Sequence, residues 1–438
     1  MTTRRFNQAS IVNVFLFLGV ISALAGFIID LRNTVAYGGI DFRDRVVGAR
    51  LIKENKDPYF FKWREGMPDT ILQPFENPSN LYTRATFPPT VLLLNLPLSN
   101  FSYFSQKVIW FVGQWILLLA AIWLAASCAK TSVKRKIIWV IGLLFVSNSY
   151  FWRLHVERGQ IYIVYSFLFA LSYWINVQSF ALSKFASGLV LGILGAFRPP
   201  ALVMLIPLII AKKWKIAAGC LTGFVSAVGL TLTRIDLGIW RSYLYSMKLH
   251  SQTYMRFLST RDDFVTWNTP VIEGLSTLSK AASIPSPDTS LHRLMWHYER
   301  WIVPMHVHYI ILLAVVLLLA AFMIRWYHQF SPGSLFLIGA ALMTWVEFFL
   351  PAPRSSYNNV QWILPLALVA INYNWTRWQH NAPLIFFLIL VFFNFTWSSE
   401  IGAAFFRFEM LVNIFITVFA VLYMKEKSTL FNGGKPAS

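Results

Sequence analysis

Apolar runs long enough to cross a bilayer recur along this chain and leave few folds open to it. Crossing the hydrocarbon takes about 20 apolar residues as a helix. Residues 11–29, 108–126, 216–232, 309–323 with their flanks, 335–350 and 405–423 all meet that need. A backbone in lipid must satisfy its own hydrogen bonds, so these runs read as helices. Only 13% of the residues are charged, about half the share of a soluble protein. The reading is therefore one all-α membrane domain over residues 1–438, a polytopic helix bundle and an integral membrane protein.

The net charge of +19 raises nucleic acid as a partner, but the placement of the charge argues against it. Basic residues gather at Arg4 and Arg5, at Lys130, Lys134, Arg135 and Lys136, at Lys212, Lys213 and Lys215, and at Lys425 and Lys427. That is the positive-inside pattern that orients membrane proteins. It places both termini in the cytoplasm. Cys128 and Cys220 lie near helix ends on the basic side and imply no disulfide framework. No convincing cleavage site follows the first apolar run, which reads as a retained helix.

With the basic clusters inside, helix 1 runs outward into a long outer (periplasmic) loop over 31–107. Residues 41–56 are loosely amphipathic, with Phe42, Val46 and Ala49 at helical spacing and charges between them. This predicts a helix along the membrane surface. Residues 87–98 are apolar but punctuated by Pro88, Pro89 and Pro97, and read as re-entrant or interfacial. Residues 185–197 and 201–211 are each too short to span and predict a hairpin with Arg198-Pro199-Pro200 at its tip. A second long outer loop covers 235–305. The path gives about eleven to thirteen crossings.

Ionisable groups at membrane depth are costly and tend to be functional. Asp30, His155, Glu157, Arg158, Arg198, Glu347 and Arg354 fall at or near predicted outer helix ends. Asp41, after Gly38 and Gly39, opens the surface helix. Two roles fit it: a general base taking a proton from an attacking hydroxyl, or a helix N-cap. Arg158, Arg198 and Arg354 suit bidentate phosphate binding, or snorkelling to headgroups. His155 with Glu157 lacks an HExxH pattern and a third ligand, so no protein-held metal is expected. There is no P-loop or GxGxxG, hence no nucleotide.

Five separated motifs carry a resemblance. They are Ile40-Asp41-Phe42 with Asp57-Pro58-Tyr59; Phe87-Pro88-Pro89 with Leu96-Pro97-Leu98; Arg158-Gly159-Gln160; the glycine-rich stretch 188–195 before Arg198-Pro199; and APRSSYNNVQ over 352–361. In this order, over about residues 10–375, the chain resembles glycosyltransferase family 87, polyprenyl-phosphate-mannose-dependent enzymes of GT-C fold. It departs where Asn358 and Asn359 replace a frequent His pair and Tyr162 replaces an Asn.

The resemblance implies a bacterial inner-membrane enzyme with its site on the outer face and no cofactor. The donor is a sugar on a polyprenyl phosphate, mannose by default, and the acceptor a glycolipid or glycan. Asp41 is the implied base, with Asp44 as possible support. Arg158, Gln160, Arg198, Arg354, Asn358 and Asn359 are implied to hold donor phosphate and sugar, and His155, Tyr59 and His250 to touch the acceptor. Two rival readings are a lipid-linked-sugar flippase and an enzyme of the O-antigen polymerase or ligase kind. The acidic residue just after helix 1 favours the glycosyltransferase reading over both rivals. The absence of matching halves disfavours a transporter.

Overall fold

The first apolar run forms α1 (Gln8–Ala36), whose Leu24 and Ile28 stay 62% and 67% exposed. Bare leucine and isoleucine along a whole helix face suit lipid as the surrounding solvent. The computed structural model describes residues 8–36, 38–73, 81–255, 290–299, 301–326 and 330–372, with 412–414, 416 and 417. Among these residues there are helices and no strands.

After α1 come α2 (Ile40–Lys53), α3 (Pro89–Asn95), α4 (Tyr103–Ser127), α5 (Ser132–Val140), α6 (Tyr150–Arg158), α7 (Tyr162–Val177) and α8 (Ser183–Phe197). Then follow α9 (Leu205–Ile210), α10 (Trp214–Leu232), α11 (Leu237–Met255), α12 (Leu291–Glu299), α13 (Met305–Trp326), α14 (Pro332–Phe349) and α15 (Ile363–Asn372).

Five of these, α1, α4, α10, α13 and α14, are long and apolar enough to cross a bilayer. A sixth candidate is the bent pair Ser132–Val146 and Tyr150–Arg158, which turns by 67°. The larger number of crossings expected from sequence also included shorter apolar segments. These form α7, α8 and the stretch Pro199–Ile210. It included the run 405–423 too, most of which lies outside the described residues, as do Arg4, Arg5, Lys425, Lys427 and loop residues 256–289.

The helices divide by what they face. Within its most apolar stretch α14 is 83% buried and α13 only 11%. Thus α14 is a central helix and α13 a lipid-facing one. α8 and α10 approach most closely, through glycines on both. A Cβ on Gly192 would lie 2.1 Å from the Cys220 carbonyl oxygen, and one on Gly219 would lie 2.2 Å from that of Phe185. Small residues four apart let helix backbones touch, and in lipid such packing holds helices together.

Segment 87–98 is too short to span: α3 has 7 residues, about 10 Å of rise. Its residues Pro89–Leu92 are buried against α2 and α8, where Thr90 donates to the Ala196 carbonyl at 2.6 Å.

The helix is present as α2, but its three arginines do not form a solvated face. Arg43, Arg45 and Arg50 are buried. Their guanidinium groups donate to backbone carbonyls: Arg43 to Leu72 and Asp69, Arg45 to Gly159, and Arg50 to Ser99, Thr70 and Phe101. The amphipathic reading failed here because these long cations cover loop backbone that would otherwise bury unpaired carbonyls.

Candidate active site

The site is assembled where α2, α6, α7, the end of α8 and the end of α14 meet. Helix α6 ends at Arg158, and Gly159 caps it in the left-handed conformation, φ +69°. A Cβ there would sit 2.6 Å from Phe42 Cβ, so glycine is required twice over. The turn delivers Arg158 and Gln160 to Asp41. The Asp41 Oδ2 accepts from Gln160 Nε2 at 2.5 Å and from Arg158 Nη1 at 3.3 Å. Among the described residues, Oδ1 accepts no hydrogen bond.

Asp41 is not the helix cap. That position belongs to Gly39, at φ +104°, pinned by its own N–H to the Glu157 carbonyl at 2.7 Å and by the Tyr103 hydroxyl on its carbonyl at 2.6 Å. Asp41 lies in the first turn, where a carboxylate suits the helix dipole, and its Oδ2 meets side chains instead.

A second cluster surrounds Glu347, near the end of α14. Arg198 is extended, φ −141° and ψ 90°, as expected of a residue before proline. It ends α8 and directs its guanidinium to Glu347 Oε1, at 2.7 Å from Nε and 2.6 Å from Nη2. Its Nη1 donates to the Tyr162 hydroxyl at 3.2 Å, and its plane covers the Tyr162 ring at 4.5 Å. Arg354 approaches Oε2 at 3.8 Å, and Gln361 and Asn358 donate to the same carboxylate. Asn359 accepts from Arg354 Nη2 at 2.8 Å. The Asn pair thus orients the charges by amide hydrogen bonds and takes no part in titration. Two guanidinium groups against one carboxylate leave a net positive charge.

A cavity of about 510 Å³ opens on this second cluster. Arg198, Glu347, Arg354, Asn358 and His250 lie on its wall, as do Tyr162, Tyr165, Tyr243 and Tyr357. Asp41, Arg158 and Gln160 do not. Tyr357 links the two clusters: it lines the cavity, packs on Tyr162 at 5.4 Å between ring centroids, and feels the charges of Asp41 and Arg158.

The remaining expected residues separate. Asp44 lines a different cleft, with Gly48, Ile71 and Arg84. His155 is fully buried; its Nε2 accepts from the Ile163 N–H at 3.2 Å, which removes it from the acceptor's reach. Tyr59 is equally buried, its hydroxyl donating to the Phe87 carbonyl at 2.7 Å. The paired Tyr59 hydroxyl suits a core position, while His155 keeps Nδ1 buried without a hydrogen-bond partner. His250 does face the cavity, with Nε2 2.9 Å from the Thr83 carbonyl. Burial pushes its ring down to about 4, with Arg84 and Lys62 adding to the effect and the Thr83 bond opposing it. It is a neutral ring at physiological pH.

The model of glycosyltransferase family 87 matches residues 85–347. The chain belongs to that family. The match takes in Arg158, Gln160, Arg198 and Glu347 of this glycosyltransferase, while Asp41, Arg354 and the Asn pair lie beyond its ends. No curated protein and no solved structure matches the glycosyltransferase.

Sequence reasoning missed Tyr357, Tyr165 and Arg45. Tyr357 lies within the motif at 352–361, and Arg45 falls one helical turn after Asp41.

Proposed function

We propose that this glycosyltransferase moves a sugar, mannose in the first instance, from a polyprenyl phosphate to a hydroxyl of a glycolipid or glycan. The site faces outward from a bacterial inner membrane, with both termini in the cytoplasm. Asp41 Oδ1 takes the proton of the acceptor hydroxyl. The acceptor oxygen attacks the anomeric carbon, the bond from that carbon to the phosphate oxygen breaks, and configuration inverts. The polyprenyl phosphate leaves as a stable anion beside Arg198 and Arg354. Preorganised positive charge there stabilises the developing charge without proton transfer, and no nucleotide or metal is called for.

The observation that carries this reading is the Asp41 carboxylate, held by Gln160 and Arg158 through one oxygen and open at the other. It lies outside the lining of the positively charged cavity and acts on Tyr357, which is part of that lining. The tyrosine-lined remainder suits a sugar, whose apolar face stacks on rings. Family membership favours transfer chemistry over the flippase reading.

The test is transfer from labelled polyprenyl-phosphate-mannose to a membrane glycolipid extract, wild type against Asp41→Asn. The expected result is a loss in kcat of about 100-fold or more at an unchanged melting temperature. Full activity in Asp41→Asn would remove Asp41 as base. Transfer from another lipid-linked sugar only would change the donor.

A further inference from the structure

We propose that Arg45 is a positioning residue: it fixes the Arg158–Gly159–Gln160 turn that orients the Asp41 carboxylate. The proposal rests on Asp41 being the base.

Asp41 and Arg45 are four residues apart on α2 and share one face of that helix. Both grip the same turn. Asp41 holds the side chains of Arg158 and Gln160. Arg45 Nη2 donates to the backbone carbonyl of Gly159, between them. Trp110 Nε1 donates to the same oxygen at 3.0 Å, so both lone pairs of that carbonyl are engaged. At φ +69°, Gly159 packs so closely on α2 that an added Cβ would lie 2.6 Å from Phe42 Cβ. The carbonyl plane of Gly159 sets the direction of the next residue, Gln160. Arg45 therefore acts on the carboxylate through one peptide unit and one amide side chain.

Burial opposes the charge on Arg45, while ring faces and the nearby Asp41 and Asp44 carboxylates offset part of that cost. Arg45 is fully buried among rings, with Trp110 at 4.5 Å, Phe42 at 5.1 Å and Phe87 at 5.6 Å from its guanidinium carbon. Its Nε and Nη1 have no partner among the described residues. A buried charge with idle donors is costly, and an apolar side chain of similar length commonly replaces one at no loss of stability. Methionine fills such a ring-lined space well. A group that packing alone disfavours, sited one turn from a candidate base, fits the trade of stability for function at active sites.

The experiment compares wild type, Arg45→Met, Trp110→Phe, the double variant and Asp41→Asn in lipid nanodiscs. It follows transfer from polyprenyl-phosphate-mannose, thermal melting, and amide hydrogen exchange over residues 156–163. For Arg45→Met we expect kcat to fall about 100-fold, the scale of a small misplacement of reacting groups. We expect KM for the donor to stay within about twofold, a melting temperature equal to or above wild type, and faster exchange confined to 156–163. Trp110→Phe should shift kcat the same way by less, and the double variant should fall short of the summed effects, because both donors serve one oxygen. Wild-type kcat and exchange in Arg45→Met would overturn the proposal. So would a melting temperature that drops in step with activity, which marks a purely structural role. An active Asp41→Asn would fail the base reading instead. In that case, or if wild type does not use this donor, exchange at unchanged melting temperature still decides whether Arg45 holds the turn.

Discussion

Glu347 is 4% exposed and receives hydrogen bonds or ionic contacts from Arg198, Arg354, Gln361 and Asn358. At the residue scale it is the counter-charge that makes two neighbouring arginines tolerable in a low-dielectric wall. Removing one partner of a buried pair costs about 3–5 kcal/mol, because the other charge stays behind. Glu347→Gln is expected to lower stability on that order, read as a thermal melt in detergent or nanodiscs. If Arg198 and Arg354 bind phosphate, added polyprenyl phosphate should restore part of the loss, as any ligand selective for the folded state does. No recovery at saturating lipid would remove the phosphate role from this pair. Arg198 and Glu347 are 149 positions apart, so no local pattern could join them. The extended geometry of Arg198, by contrast, was legible in the two prolines that follow it. Asp41 was legible by its place after helix 1, yet its partners were not, since the Gly159 turn is aimed by contacts with α2.

At the scale of elements, the α8–α10 contact shows how glycine reads differently by context. Gly192 faces the Cys220 carbonyl, whereas a Cβ added to Gly229 on the same helix pair would meet nothing within 4 Å. Gly192→Leu is expected to abolish folded yield or cut the melting temperature sharply, because backbone atoms cannot step aside as a side chain can. Gly229→Ala should be neutral or stabilising, by up to about 1 kcal/mol from helix propensity. Size-exclusion profiles and thermal melts of the two variants decide. A well-folded Gly192→Leu would mean the helices do not pack this way. The helices themselves were legible from apolar runs and prolines. The burial of Arg43, Arg45 and Arg50 was not, because a charge between apolar positions looks the same in sequence whether it meets water or a carbonyl.

For the whole molecule, the proposed orientation puts the basic clusters inside and the cavity outside. In a background without Cys128 and Cys220, a cysteine at exposed Pro353, beside the cavity, is expected to react with a membrane-impermeant maleimide from outside. One at exposed Lys213 should react only after permeabilisation. The reverse pattern would place the cavity in the cytoplasm. Orientation also bears on a hazard that every lipid-linked sugar shares: it is an activated compound that water can hydrolyse. Here the candidate base lies off the cavity wall, and Tyr357 is the ring the two clusters share. If the proposed donor binds in this cavity, water around it would meet arginines and phenols, with Glu347 already held by Arg198 and Arg354. If the cavity takes the proposed donor, this layout would keep hydrolysis slow, because transfer would wait for an acceptor hydroxyl that meets both the sugar and Asp41.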